Sequence, residues 1–211
     1  MVQSVRGDEH EAVGIGVPSV VDFETGRVLS SVNVPMGDLP LRDVLAERLD
    51  ARVYVDNDAT VAAFAEAHDD QLRLVAGNLV MITIGTGIGG GLVLGGRIYR
   101  GRTGGAGELG HTLVGLDLAV TVAAPVGFPQ PGSLERLTAG QALGRQAARA
   151  GDATAVRVIE LWGERVGVGV ANAINTFDPD EVVIGGYSPR AARSPRRRAR
   201  SRVAGCHTLR T

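Results

Sequence analysis

A 31-residue stretch from Met81 to His111 constrains the fold of this chain more than any other segment. It reads MITIGTGIGGGLVLGGRIYRGRTGGAGELGH, and apolar, β-favouring segments lie on both sides of a first glycine loop, Gly85 to Gly91. We therefore predict a strand, a glycine loop and a second strand. A second glycine-rich loop, Gly101 to Gly107, follows and leads into Glu108 and His111.

The first glycine loop has two interpretations. Glycines permit positive φ and let backbone N–H groups approach an anion, so such a loop forms a concave surface for phosphate. Turn chemistry alone also demands glycine, and an ordinary glycine hairpin explains the local pattern equally well. The glycines also match G-x-G-x-x-G, but a dinucleotide site requires a helix directly after the loop, where this chain continues as a strand.

The chain contains no lysine, because all 22 of its basic side chains are arginine. This absence excludes a Walker A loop, a protein-kinase site with its strand lysine, and Schiff-base catalysis. Phosphate binding in such a chain has to depend on backbone dipoles, arginine, and a metal ion held by carboxylates.

Composition narrows the class of protein. With 211 residues, 44% hydrophobic and 21% charged, the chain is typical of a globular protein with a buried core. Its one cysteine, Cys206, excludes an internal disulfide and a zinc site built on several thiolates. No apolar run approaches the roughly 18 residues of a membrane span, and the first residues lack a signal-peptide core. We therefore expect a cytoplasmic protein that does not associate with membranes.

The last segment of the chain is strongly basic. From Ser188 onward, eight arginines and no acid give a charge of +8, which leaves −9 for the rest of a chain whose net charge is −1. A basic tail can bind nucleic acid, but this one has no apolar periodicity and no aromatic platform. We predict a disordered tail over residues 188–211, without nucleic-acid binding.

Polar side chains stand at one predicted strand-to-helix junction. Asp56, Asn57 and Asp58 separate the strand Arg52–Val55 from the helix-favouring segment Ala59–His68. Capping the helix explains one short polar residue there, but not three. Because ligands of α/β proteins gather at the carboxyl ends of strands, we interpret Asp58 as a general base and Asn57 as a neighbour that holds substrate.

Three further features are candidate ligand contacts. Glu108 and His111 are three residues apart, so a helical turn would put both on one face, where they could hold adjacent hydroxyls of a polyol. A surface hydrogen bond is the alternative for this pair, and a turn-forming role is the alternative for Asn33. The predicted strand Glu181–Ile184 runs into Gly185–Gly186, a candidate nucleotide contact.

The longest predicted helix covers Ala153–Phe177. Three glycines within it, at 163, 167 and 169, lower helix propensity, so we expect another element to pack closely against them. The predicted buried stripe consists of Val156, Ile159, Val166, Val170, Ala173, Ile174 and Phe177.

Taken in order, the motifs of residues 12–186 resemble the ROK family (repressor, open reading frame, kinase). The resemblance is carried by VGIGVPSVVDFETG, the Asn33 segment, VDNDAT, ITIGTGIGGG, GELGH, GSLERLTAGQAL and INTFDPDEVVIGG. It implies an α/β protein with the actin-like ATPase (ribonuclease H-like) fold. Residues 1–56 would be the remnant of a small N-terminal α/β domain, and residues 57–187 a larger sugar- and nucleotide-binding domain.

The resemblance also implies an activity, the ATP-dependent phosphorylation of a hexose of the glucose or N-acetylhexosamine class. ATP, Mg²⁺ and a sugar would bind, the chain would form a homodimer, and Asp58 would be the general base. The residues implied in sugar binding are Asn33, Asn57, Glu108, His111 and Glu135. Those implied near the nucleotide are Gly85, Thr86, Gly87, Gly89, Gly90, Gly185 and Gly186.

The chain departs from the family pattern in three places. Many relatives hold a structural zinc through cysteines just before the position of Glu135, where this chain has none, so we expect no zinc. The family's first phosphate loop, D-x-G-x-T, is not found, and an Arg-rich segment stands where relatives continue as helices. We therefore expect a fold incomplete at both ends and an incomplete catalytic side. The alternatives to a kinase are the sugar-sensing domain of a transcriptional regulator and a non-catalytic fragment.

Overall fold

The computed structural model describes residues 12–31, 34–115, 129–139 and 151–186, together with the backbone of residues 199–202. Asn33 lies outside the described residues, so its sugar contact stays a prediction. The elements in chain order are β1 (Ala12–Val17), β2 (Val20–Asp22), β3 (Arg27–Ser30), α1 (Leu41–Leu49), β4 (Arg52–Asn57), α2 (Asp58–Glu66), β5 (Leu79–Ile84), β6 (Ile88–Leu94), β7 (Arg97–Ile98), a 3-10 helix (Leu109–His111), α3 (Leu134–Thr138), α4 (Ala153–Phe177), β8 (Glu181–Gly185) and β9 (Ala199–Arg202).

The elements before α2 surround a small apolar core. Strands β1 and β4 pair in parallel, with Gly16 opposite Asp56 and Val17 opposite Asn57. Strands β2 and β3 form an antiparallel hairpin, and α1 packs against β4 and β3. The buried side chains of this core are Val17, Val21, Val28, Leu41, Leu49, Val53 and Val55. Parallel pairing brings the carboxyl ends of β1 and β4 to one edge, from which α2 begins.

The larger part of the described chain is a sheet with helices on both faces. Its strands lie in the order β7-β6-β5-β8-β9, with β5 antiparallel to β6 and parallel to β8. Side chains alternate along β5: Val80 and Ile82 face the core shared with α3 and α4, whereas Leu79 and Met81 face the core shared with α2. Burial on both faces explains why this strand is apolar at every position except Thr83.

Helix α4 has the predicted bounds, Ala153–Phe177. Asp152 caps its start by accepting a hydrogen bond from the Ala155 N–H (2.8 Å). The predicted stripe is buried or partly buried with one exception, Val156, which is 40% exposed. The prediction was wrong there because the buried face begins at Ala155, and the next residue lies about 100° further round the helix.

The predicted close packing holds for one of the three glycines in α4. A Cβ atom on Gly169 would lie 2.7 Å from Leu134 Cδ2 in α3. At Gly163 and Gly167, by contrast, a Cβ would meet no atom of the described residues within 4 Å.

The Arg-rich segment contributes one strand to the sheet. Residues Ala199–Arg202 form β9, which pairs antiparallel with β8 at the edge of the sheet. The predicted disorder of residues 188–211 thus does not extend to these four residues, and the others lie outside the described part of the chain. None of the described helices is both long enough and apolar enough to cross a membrane.

Candidate functional site

The end of β4 carries the residues interpreted as a general base and its neighbour. Asn57 caps α2: its Oδ1 accepts from the Thr60 N–H (3.0 Å), and its Nδ2 donates to the Ser19 carbonyl (3.2 Å). Both ends of this amide are therefore bound within the protein, and its sugar contact stays a prediction. In Asp58, Oδ1 accepts from the Ala59 N–H (2.9 Å), while Oδ2 accepts no hydrogen bond from any described residue.

Glu108 and His111 lie at the two ends of the 3-10 helix turn, close enough to interact. Glu108 Oε2 is 3.4 Å from His111 Nε2. Burial raises the pKa of the Glu108 carboxyl above its ordinary value; His111 opposes the rise, and the Glu135 and Asp58 carboxylates add to it. The charges of Asp58 and Glu135, which come from two other elements, therefore both act on the Glu108 carboxyl.

The first glycine loop is shorter than the sequence predicts. The turn consists of Gly85, Thr86 and Gly87, and the Gly85 N–H donates to the Gly87 carbonyl (2.8 Å). Strand β6 begins at Ile88, which pairs with Ile84. The predicted loop over Gly85–Gly91 is therefore wrong in its second half, because those glycines belong to a strand.

Close packing on both faces of β6 explains the glycines of this strand. On one face, a Cβ on Gly91 would lie 2.5 Å from the Ala59 carbonyl oxygen of α2, and a Cβ on Gly89 would lie 2.8 Å from Thr83 Oγ1 of β5. On the other face, a Cβ on Gly90 would overlap the carbonyl oxygen of Gly107. Helix α2 and the loop before Glu108 are thereby held against opposite faces of one strand. The nucleotide contacts of Gly89 and Gly90 stay predictions.

The second predicted nucleotide contact lies beside the glycine turn. Parallel pairing of β5 and β8 puts Thr83 opposite Gly185. A Cβ on Gly186 would overlap the carbonyl oxygen of Ile84, the last residue of β5. The turn Gly85–Gly87 and the pair Gly185–Gly186 are therefore neighbours at the carboxyl edge of the sheet, the edge at which ligands of open α/β sheets bind.

Glu135 makes a contact that the sequence did not predict. Its Oε2 accepts a hydrogen bond from the Ile88 N–H (2.7 Å), directly after the glycine turn. A Cβ on Gly87 would lie only 2.6 Å from the same oxygen. Helix α3, which carries Glu135, is capped by Ser133, whose Oγ accepts from the Arg136 N–H (3.2 Å). The carboxylate implied in sugar binding thus also touches the turn implied in phosphate binding.

An ion pair links the two parts of the structure. Arg100, between β7 and the second glycine loop, donates from Nε (3.1 Å) and Nη2 (2.7 Å) to Asp56 Oδ2 at the end of β4. Its guanidinium carbon also lies 3.7 Å from the centre of the Phe23 ring in the β2–β3 hairpin. Asp56 is the third short polar residue of the junction, besides the helix cap Asn57 and the predicted base Asp58, and the presence of three such residues was the sequence signal for a further role.

Within the described part of the chain, no group of three or more His, Cys, Asp or Glu side chains could hold a metal ion. The expectation that the chain binds no zinc stays a prediction, as residues 116–128 lie outside that part.

Comparisons with known proteins identify sugar kinases and a xylose repressor among the relatives of this chain. The ROK family model matches residues 1–195. The glucokinase of Halalkalibacterium halodurans is 32% identical over 208 residues, covering 82% of this chain and 60% of the relative. The N-acetyl-D-glucosamine kinase of Pasteurella multocida is 35% identical, with coverages of 82% and 64%. The xylose repressor of Caldicellulosiruptor bescii is 29% identical, with coverages of 82% and 49%. This chain thus spans about half to two thirds of their lengths.

The solved structures that resemble this chain include members of the same family. The ROK hexokinase from Thermus thermophilus is 37% identical with a TM-score of 0.67, and the match covers 87% of this chain and 64% of that one. A ROK family glucokinase from Streptomyces griseus, solved in complex with glucose and AMPPNP, is 30% identical with a TM-score of 0.70 and coverages of 85% and 66%. These neighbours have the actin-like ATPase fold, so the predicted fold class is confirmed.

Proposed function

This chain belongs to the ROK family, and on that premise we propose that it carries the sugar-phosphorylating site of an ATP-dependent hexose kinase of the glucose or N-acetylglucosamine class. One observation carries the proposal. Glu135 touches the residue that follows the glycine turn, Glu108 lies 3.4 Å from His111, and the charges of Glu135 and Asp58 both act on Glu108. Such a set of hydroxyl-binding groups next to an anion-binding turn suits a sugar and a phosphoryl donor.

Asp58 has the geometry of a general base in this proposal. Its Oδ1 accepts the Ala59 N–H, and this hydrogen bond orients the carboxylate. Its Oδ2 accepts no hydrogen bond from the described residues and would accept the proton of a sugar hydroxyl. Glu108, His111 and Glu135 would hold neighbouring hydroxyls and so orient the one that reacts.

The glycine turn suits phosphate oxygens. A Cβ on Gly85 would meet no described atom within 4 Å, so an anion can approach the backbone there, and the adjacent Thr86 is exposed. Gly185 and Gly186 would lie near the rest of the nucleotide. Bound Mg²⁺-ATP supplies the phosphoryl group and screens its charge, and we expect Mg²⁺ to be held largely by the phosphates themselves.

A sugar-sensing role is the second candidate. It is favoured by the similarity to the xylose repressor over 82% of this chain. In that role, Glu108, His111 and Glu135 would bind the sugar as in a kinase, but no phosphoryl group would be transferred to it. The two functions therefore predict the same sugar binding and differ in turnover.

The test combines a coupled assay of ATP-dependent phosphorylation with calorimetric sugar binding, using glucose and N-acetylglucosamine. If the chain is a kinase, Asp58→Asn should lower kcat by about 10² to 10⁴, the usual contribution of a general base, with little change in sugar affinity. Asp43→Asn, which changes an acid in the first turn of another helix, α1, is the matched control and should retain turnover. Sugar binding without turnover would support the sensor, and no sugar binding would refute both functions.

A further inference from the structure

The carboxylate of Glu135 has two oxygens with different surroundings. Oε2 accepts the Ile88 N–H at 2.7 Å, a short bond between an amide and a charged group. Oε1 accepts no hydrogen bond from any residue that the structure describes, and Glu135 forms no ion pair with them. Helix α3, which carries Glu135, packs against the 3-10 helix that ends at His111, and the Leu134 N–H donates to the Thr112 carbonyl (2.9 Å). The Glu135 carboxylate thus touches the turn and comes from an element that is packed against the Glu108–His111 pair.

Helix α3 gives Glu135 a fixed base. Leu134 is fully buried in the core beneath the sheet. The carbonyl of Thr138, the last residue of α3, accepts the indole N–H of Trp162 in α4 (2.6 Å), and the Thr138 hydroxyl donates to the Leu134 carbonyl (2.6 Å). Because α3 is anchored at both ends, the helix does not move when a ligand binds one oxygen of the Glu135 carboxylate. Binding at one oxygen therefore changes the position of the other oxygen.

We propose that Glu135 is a positioning residue that couples the two halves of the site: Oε2 holds the glycine turn through the Ile88 amide, and Oε1 binds a hydroxyl of the sugar. The inference rests on the proposed function for the identity of the second ligand, a hexose. Sugar on Oε1 fixes the carboxylate and thereby orders the turn. Conversely, the glycine turn holds Oε2 and thereby orients the carboxylate for the sugar.

The coupling has a thermodynamic signature. If breaking the Ile88 hydrogen bond weakens sugar binding by some factor, then bound sugar must disfavour the broken state by the same factor. Saturating sugar should therefore slow hydrogen exchange of the Ile88 amide. A residue that merely lines the sugar pocket would not produce this effect.

The structure offers a substitution that breaks one contact and leaves Glu135 in place. Glu135→Ala would remove both contacts at once and cannot separate them. In Gly87→Ala, the new methyl carbon would lie 2.6 Å from Glu135 Oε2, so the flexible end of the side chain has to leave the Ile88 amide. Gly85→Ala adds the same methyl group to the same turn, but with no described atom within 4 Å, and is the matched control. Neither glycine has a positive φ.

The experiment measures amide exchange by NMR on the ¹⁵N-labelled full chain, with and without glucose or N-acetylglucosamine, and sugar affinity by calorimetry. In Gly87→Ala we expect Ile88 exchange to accelerate and sugar affinity to fall, each by about tenfold, which is about 1.4 kcal/mol. Both quantities are measured without nucleotide, so that the phosphate contact proposed for Gly85 does not enter, and Gly85→Ala should then change each by less than about twofold. In the unsubstituted chain, saturating sugar should slow Ile88 exchange by about tenfold, and this protection should be lost in Gly87→Ala.

The contrary results distinguish a failure of the coupling from a failure of the proposed function. Unchanged Ile88 exchange in Gly87→Ala would overturn the contact on which the coupling depends. Accelerated exchange with full sugar affinity would overturn the coupling while the proposed function stands. If the unsubstituted chain binds neither sugar, the proposed function and the coupling both fail.

Discussion

Replacing Arg100 by alanine should destabilise the fold by about 3 kcal/mol, because it leaves the Asp56 carboxylate buried without its ionic partner. Two guanidinium nitrogens donate to Asp56 Oδ2, at 3.1 and 2.7 Å, and the Asn57 N–H donates to Oδ1. The variant also removes the cation–π contact with Phe23. What is lost is therefore the main polar connection between β4, the β2–β3 hairpin and the second glycine loop.

The size of the pairwise interaction can be bounded. Opposite unit charges 4 Å apart attract by about 4 kcal/mol at an effective dielectric constant of 20, and desolvation offsets part of this attraction. The Arg100 and Asp56 side chains are 25% and 10% exposed. We therefore expect a double-mutant coupling energy of about 2 kcal/mol. Arg157 and Glu160 on α4 are 3.2 Å apart but 71% and 56% exposed, and should couple by less than about 0.5 kcal/mol.

Urea unfolding of both double-mutant cycles measures this difference. One cycle uses Arg100→Ala and Asp56→Asn, and the other uses Arg157→Ala and Glu160→Gln as the exposed control. Arg100→Lys keeps the charge but not the two-nitrogen contact, so it should recover at most about half of the lost stability. Equal coupling energies in the two cycles would refute the reasoning, because burial would then contribute nothing.

Four further substitutions test the stability of the fold. Gly163→Ala should stabilise the chain by about 0.5–1 kcal/mol, because it adds a helix former where no described atom lies within 4 Å. Gly169→Ala should destabilise it by about 1–3 kcal/mol, because the new methyl carbon would lie 2.7 Å from Leu134 Cδ2; thermal unfolding that gives both changes the same sign would contradict the packing described for α4. Leu134→Ala removes a fully buried side chain and should cost about 2–5 kcal/mol in urea unfolding, and a cost below about 1 kcal/mol would mean that α3 is not anchored in this core. Folding raises the pKa of Glu108, so its contribution to stability is fully present below the ordinary value of 4.5 and is lost as the pH rises through the folded-state pKa. Glu108→Gln should therefore be more stable than the unsubstituted chain at pH 7 and lose that advantage toward pH 4; a difference that does not narrow on acidification would contradict the assigned cause.

Long apolar patterns with clear end residues were predictable from the sequence. The bounds of α4 follow from its helical periodicity, the Asp152 cap and the Asp178–Pro179 stop. Strand β5 follows from an apolar run that continues to the first glycine of the turn. In both segments the information is local, because each residue's burial follows from its neighbours along the chain.

The remaining features depend on contacts between distant segments. A glycine has no side chain to show periodicity, so nothing within Gly89–Gly91 indicates a strand until Ala59 and Gly107 are placed against it. Asp56, Asn57 and Asp58 all have short polar side chains that can cap a helix, and only the geometry assigns the cap to Asn57. Asp56 and Arg100 are 44 positions apart, beyond any local pattern.

The packing on both faces of β6 changes which parts of the glycine motif are informative about activity. Gly90 and Gly91 are required by the fit between a strand, a helix and a loop, so a relative that does not transfer phosphate would still need glycine at both positions. Gly85 and Thr86 carry no such packing demand from the described residues, and they would be free to diverge. Within the family, the composition of the turn, rather than the length of the glycine run, should therefore distinguish a chain that binds nucleotide from one that only senses sugar.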